Sequence, residues 1–145
     1  MDVLNNKALL AAACGWFTAQ LIKIIISLIQ EKRFDFSLIM SSGGMPSSHS
    51  ATVCALAITI MKLCTPASPE FALAVIFAFI VMYDATGVRR EAGEHAKMLN
   101  LLVDNIFAGK KEYTENDFKE LIGHTPFQVF MGAALGILIG TVFPV

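Results

Sequence analysis

The chain has 145 residues, 55% of them hydrophobic and 16% charged, with a mean hydropathy of +0.62. That length supplies one domain, 1–145, and the apolar fraction is higher than an ordinary soluble domain carries. A net charge of −1 provides no global field for nucleic acid or any other polyanion.

Residues 8–30 form the first apolar run, long enough to cross a hydrocarbon core, with Lys23 as its one charge. An ionisable residue at that depth faces the protein interior or water. Lys23 therefore points to a phosphate contact, to a pairing with Asp84, or to snorkelling toward the interface. The run 49–64 is short for a span: it crosses only if the local bundle shields its ends, and of the four it is the most prone to be broken or partly submerged. Runs 71–83 and 125–145 complete a set of four membrane helices. In the last of these Gly132, Gly136 and Gly140 recur at every fourth position, a spacing that lets another helix approach closely.

Between the third and fourth runs, Met98, Leu99, Leu102, Val103 and Ile106 make one helical stripe over 91–107, with Gly109 available to end it. Thr114 and Asp117 begin a second short helix that Gly123 stops. The fold expected is all-α: a polytopic membrane bundle of four helices plus two short interfacial helices. Lys32 and Arg33 sit in the first loop, and Arg89, Arg90, Lys97, Lys110, Lys111 and Lys119 in the third, whereas 65–70 has no Lys or Arg. This bias makes the chain a multi-pass integral protein of the cell membrane with those two loops on the cytoplasmic side. Four helices make a thin bundle, compatible with a homodimer.

Cys14, Cys54 and Cys64 lie in or beside apolar runs. An odd number without zinc-type spacing makes no disulfide framework or metal site, and reads as small buried apolar residues.

The polar segment 41–50, SSGGMPSSHS, joins the first loop to the second helix. Its glycines permit backbone angles that turn successive N–H groups into one concavity, and Ser47 or Ser48 can cap the helix that follows. His49 then sits on the first turn beside an anion-favouring helix end. The segment reads equally as a phosphate cradle or as a capped turn. A second polar group, Asp84, Arg89, Arg90, His95 and His124, falls in the third loop, which topology places on the same face. Its paired arginines suit either a phosphate or the interfacial anchoring of a membrane helix.

Three strings carry a resemblance: SSGGMPSSHSA at 41–51, DATGVRREAG at 84–93 and GHTPFQVFMGAALG at 123–136. PSSH is similar to the Pro-Ser-Gly-His motif of the type 2 phosphatidic acid phosphatases and vanadium haloperoxidases. Together the strings resemble a small bacterial and plant family of divergent members of that superfamily. The resemblance implies a metal-independent phosphatase without cofactor, acting on a membrane lipid or prenyl phosphate through a phosphohistidine. In that scheme one histidine attacks phosphorus, a carboxylate orients it, and a second histidine protonates the leaving oxygen.

By the resemblance, His49 matches the acid, and Ser47 the motif serine, with Ser48 in place of its glycine. Arg89 and Arg90 are rivals for the arginine of Ser-Arg-x5-His-x3-Asp. Lys23 and Arg33 match its first motif loosely, with nine intervening residues and no following proline. His95 keeps the arginine spacing, but Leu99 follows where an orienting group is needed. His124 opens a glycine-bearing helix with Gln128 four residues on, and is the expected nucleophile. Gln128 stands where the superfamily has a carboxylate. It orients the ring, or it completes a capping box with Thr125. Alternatively, the chain is a catalytically impaired lipid-headgroup binder or scaffold.

Overall fold

The computed structural model describes residues 5–31, 44–106 and 124–145. Five helices are described there: α1 (Lys7–Glu31), α2 (Ser48–Leu63), α3 (Pro69–Thr86), α4 (Val88–Ile106) and α5 (Pro126–Val142). No strand occurs among the described residues. The second interfacial helix expected near Thr114 lies outside them.

The packing is inside out relative to a soluble protein. Ala11, Ala19, Ala51, Ala55, Ala74, Ala78 and Ala85 fill the interior, whereas Phe17, Ile25, Leu73, Phe77, Phe79 and Leu138 point outward. Water would penalise such a surface, and a bilayer does not. The 23-residue stretch Lys7–Ile29 and the 32-residue stretch Pro69–Asn100 are long and apolar enough to cross a membrane. The second of these joins α3 to α4. The backbone ladder runs through the junction, with Gly87 N–H donating to Tyr83 and Glu91 N–H donating to Gly87. The chain is an all-α membrane helix bundle.

The sequence suggests a broken or submerged second helix, but α2 is continuous and lies at the centre, packed by α1, α3 and α5. Its 16 residues rise only about 24 Å, short of a ~30 Å core. The neighbours on either side compensate for this length. Small residues make the close packing possible. A Cβ on Gly15 would strike the Ala51 carbonyl, and a Cβ on Gly132, Gly136 or Gly140 would strike Ser47, Ala51 or Ala55 and Ile58. Because these pairs ascend together along both chains, α2 and α5 run parallel.

Lys62 fastens the far end of that parallel pair. Its Nζ donates to the carbonyls of Gly140, Thr141 and Phe143 at 3.3, 2.9 and 2.6 Å, where the last turn of α5 has no intrahelical donors. Lys62→Met keeps the stem and removes these bonds. It should destabilise the fold by about 1–2 kcal/mol, read as a lower melting temperature in detergent. An unchanged melting temperature would show that the ammonium contributes nothing net.

One cysteine expectation needs correction. Cys54 is buried against Met82, its Sγ 3.9 Å from the thioether sulfur, but Cys14 and Cys64 are exposed. On a helix bathed in lipid an apolar residue gains little by turning inward, so apolar character does not fix its face.

Candidate functional site

The amino ends of α2 and α5 meet at one end of the bundle. Ser47 caps α2 by accepting from Ser50 N–H at 3.4 Å, and its Oγ lies 3.1 Å from Ser50 Oγ. Thr125 caps α5, accepting from Gln128 N–H at 3.3 Å, while Gln128 Oε1 accepts from Thr125 N–H at 3.0 Å. This reciprocal pair is the capping box suggested by Thr-Pro-Phe-Gln. The two ends are tied directly, since Ser47 N–H donates to the Gln128 carbonyl at 3.0 Å. Two helix amino termini thus face one spot, each presenting the positive end of a dipole.

Histidines from both helices meet there. The rings of His49 and His124 lie edge to face with centroids 6.1 Å apart. His124 is buried, and its backbone N–H donates to the Ala85 carbonyl at 3.1 Å, which fixes the residue to the last turn of α3. Its Nδ1 is 3.3 Å from Gln128 Oε1. Because Thr125 N–H already donates to that oxygen, the amide oxygen is the acceptor for both groups. Assigned from this network, Nδ1 carries the proton and Nε2 keeps the lone pair. Gln128 therefore both caps α5 and orients the ring.

Lys23 approaches from α1. It is buried, its Nζ 3.5 Å from Ser48 Oγ, and it does not snorkel. Gly44, at φ +88°, lies over its aliphatic stem, in backbone geometry that favours glycine. Gln20 and Ser27 are also buried, one turn to either side of Lys23. Their spacing with Lys23 is the signal of this stripe in the sequence, three polar residues on one side of an apolar helix. The backbone carbonyl of Ala85 had no sequence signal at all.

Along α1, Lys23 lies eight residues before Glu31, so the site is recessed about 12 Å from that end of the helix. Arg89 and Arg90 occupy the first turn of α4, just past the α3 residues that anchor His124. Arg33 lies outside the described residues. His95 is exposed on α4. The structure thus brings together Lys23, Ser47, Ser48, His49, His124 and Gln128. Among the described residues no three His, Cys, Asp or Glu side chains form a group able to hold a metal ion.

The arrangement offers a buried imidazole with an oriented lone pair, a second imidazole beside it, an ammonium, and the amino ends of two helices. Such a set can receive a tetrahedral anion and move a proton. Comparison with known proteins points the same way. Residues 4–139 match the family described as the Divergent PAP2 family. An uncharacterised membrane protein of Bacillus subtilis (strain 168), YuiD, is 43% identical over an alignment of length 150 that covers 96% of this chain and 94% of that one. No solved structure matches the chain. With nearly its whole length matched, the chain belongs to the Divergent PAP2 family and is a phosphatase-related membrane protein.

Proposed function

We propose that the chain is a membrane-embedded phosphatase that hydrolyses a lipid or prenyl phosphate or diphosphate through a phosphohistidine on His124. The observation that carries this reading is the His49–His124 pair, 6.1 Å apart, between the amino ends of two parallel helices. The bundle passes through the membrane several times, with this end facing the cytoplasm as the Lys and Arg bias suggests.

In the first step the Nε2 lone pair of His124 attacks phosphorus. A P–N bond forms as the P–O bond to the leaving group breaks, and His49, protonated, gives its proton to the departing oxygen. In the second step neutral His49 takes a proton from water, which attacks phosphorus and breaks the P–N bond. Inorganic phosphate leaves and both imidazoles return to their starting states. Lys23, Ser48 and the N–H groups of both helix ends stabilise charge on the transferring group, aided by Arg89 or Arg90. Gln128 holds the ring through Nδ1.

Purified protein should release phosphate from phosphatidic acid or farnesyl diphosphate at the same rate with and without EDTA. Vanadate, which imitates five-coordinate phosphorus, should inhibit it. An absolute requirement for Mg²⁺ would overturn the mechanism and turn attention to Asp84, Glu91 and Glu94 as metal ligands.

One observation favours a second reading. Gln128 is neutral and cannot stabilise a charged ring, so a pocket with this residue can bind a phosphorylated headgroup yet turn it over poorly. The chain would then be a headgroup binder or scaffold.

A further inference from the structure

Among the described residues, the neighbours of α2 do not close around it. α5 touches both α1 and α3, but no Cα of α1 comes within 8 Å of α3 among the described residues. The face of α2 left in that gap follows from its other contacts. Ser47, Ala51 and Ile58 meet the glycines of α5, Ala51 and Ala55 meet Gly15 of α1, and Val53 and Cys54 pack with Ala78 and Met82 of α3. At about 100° per residue, the remaining sector holds His49, Thr52, Leu56, Ile60 and Leu63. Burial agrees with this assignment. His49, Thr52, Leu56 and Ile60 are half-buried and Leu63 is exposed, whereas Val53 and Thr59 on the sector's edges are buried.

We propose that this uncovered strip of α2 is a lateral groove for one hydrocarbon chain of a phosphate-bearing lipid, whose headgroup sits at His49 and His124. The inference rests on the reading of the site as a phosphate site. His49 belongs to both features, so the strip runs unbroken from the cationic end into apolar depth. The site is also recessed along α1, so a lipid headgroup reaches it sideways between helices while its chain stays in hydrocarbon.

Below His49 the strip is apolar. The Thr52 hydroxyl donates to the Ser48 carbonyl at 2.7 Å, which satisfies its proton within the helix and leaves the strip to the methyl, Leu56 and Ile60. From His49 to Ile60 the strip rises about 16 Å, close to one leaflet of a ~30 Å core and hence to one lipid chain. A second copy of the chain fits less well. Membrane helices pack through small residues, and here those are already engaged at Gly15, Gly132, Gly136 and Ala78, while the strip offers Leu56 and Ile60.

The test uses the full chain in lipid nanodiscs and phosphatidic acid carrying a diazirine midway along one acyl chain. After photolysis, labelled peptides should concentrate at 52–60. Leu56→Trp, which fills the groove, should cut that labelling by at least about fivefold, and Leu56→Ala should keep it. Ile60→Trp blocks the same strip one turn lower and replaces Leu56→Trp if that variant does not fold. Diacylglycerol with the same diazirine should label 52–60 several-fold less, since it lacks the phosphate.

Labelling spread over the outward residues Phe17 and Phe77 without enrichment at 52–60 would overturn the groove. So would labelling unchanged by Trp at Leu56 or Ile60. Phosphate release, measured on long-chain and dibutyryl phosphatidic acid, separates the two proposals. Labelling reports the groove even where no turnover occurs. If turnover stands and the groove does not, Leu56→Trp leaves the long-chain to short-chain rate ratio at its wild-type value.

Discussion

Replacing His124 by asparagine should abolish phosphate release, lowering the rate by at least about 10³-fold, because the proposed P–N bond forms on its Nε2. The fold should survive. His124 is tied to α3 through its backbone N–H on Ala85, and the capping box beside it uses Thr125 and Gln128, so neither anchor depends on the imidazole. His49→Asn should behave differently. It removes the proton donor, so release from an alkyl phosphate falls by about 10²–10⁴-fold. Release from para-nitrophenyl phosphate, whose leaving group departs without a proton, should fall far less. His95→Ala, exposed on α4, should leave both rates near wild type. Initial rates on the two substrates, with a melting curve for each variant, give the comparison. An active His124→Asn protein would sink the phosphohistidine, and equal losses on both substrates for His49→Asn would sink its role as acid.

That the two polar segments share one end of the bundle was legible from the sequence. Hydropathy divided the chain so that SSGGMPSSHS and GHTPFQ fell on one face, and the structure joins them through Ser47 and Gln128. The capping box was equally legible, since Thr, Pro and Gln at that spacing satisfy helix-end N–H groups by local geometry alone. What escaped was tertiary. The second helix looked marginal as a span, because length alone does not show the neighbours that shield it, whereas α2 is packed by α1, α3 and α5. Its small residues, Ala51, Cys54, Ala55 and Ala57, were the available sign of a central position. Gln128 looked like a choice between capping and ring orientation because sequence cannot show one oxygen accepting from two donors. The cysteines misled for a solvent reason, since burial drives residues inward only when the outside is water. Arg33, read only from a loose motif, lies outside the described residues.

Gln128→Glu should raise the hydrolysis rate. The present oxygen lies 3.3 Å from His124 Nδ1, which orients the ring but leaves its charge unbalanced as the phosphoryl group arrives. A carboxylate at the same place keeps the cap on Thr125 N–H and adds a negative charge facing the imidazolium that forms. The gain should be about tenfold or more, bounded by the ~10⁴-fold that the reverse neutral swap costs a serine protease triad. Stability should hold or rise by a few tenths of a kcal/mol, because glutamate near a helix amino end suits the dipole. Gln128→Leu provides the contrast, since it loses both contacts, destabilises by about 1 kcal/mol and slows turnover. Initial rate and melting temperature, measured for wild type and both variants in one detergent, distinguish the cases. If the Glu variant matches wild type in rate while Leu loses only stability, residue 128 is a cap and nothing more. If an inactive wild type gains activity with Glu, the natural protein holds a phosphate pocket without the group that would make it turn over, and the headgroup-binding reading replaces the enzymatic one.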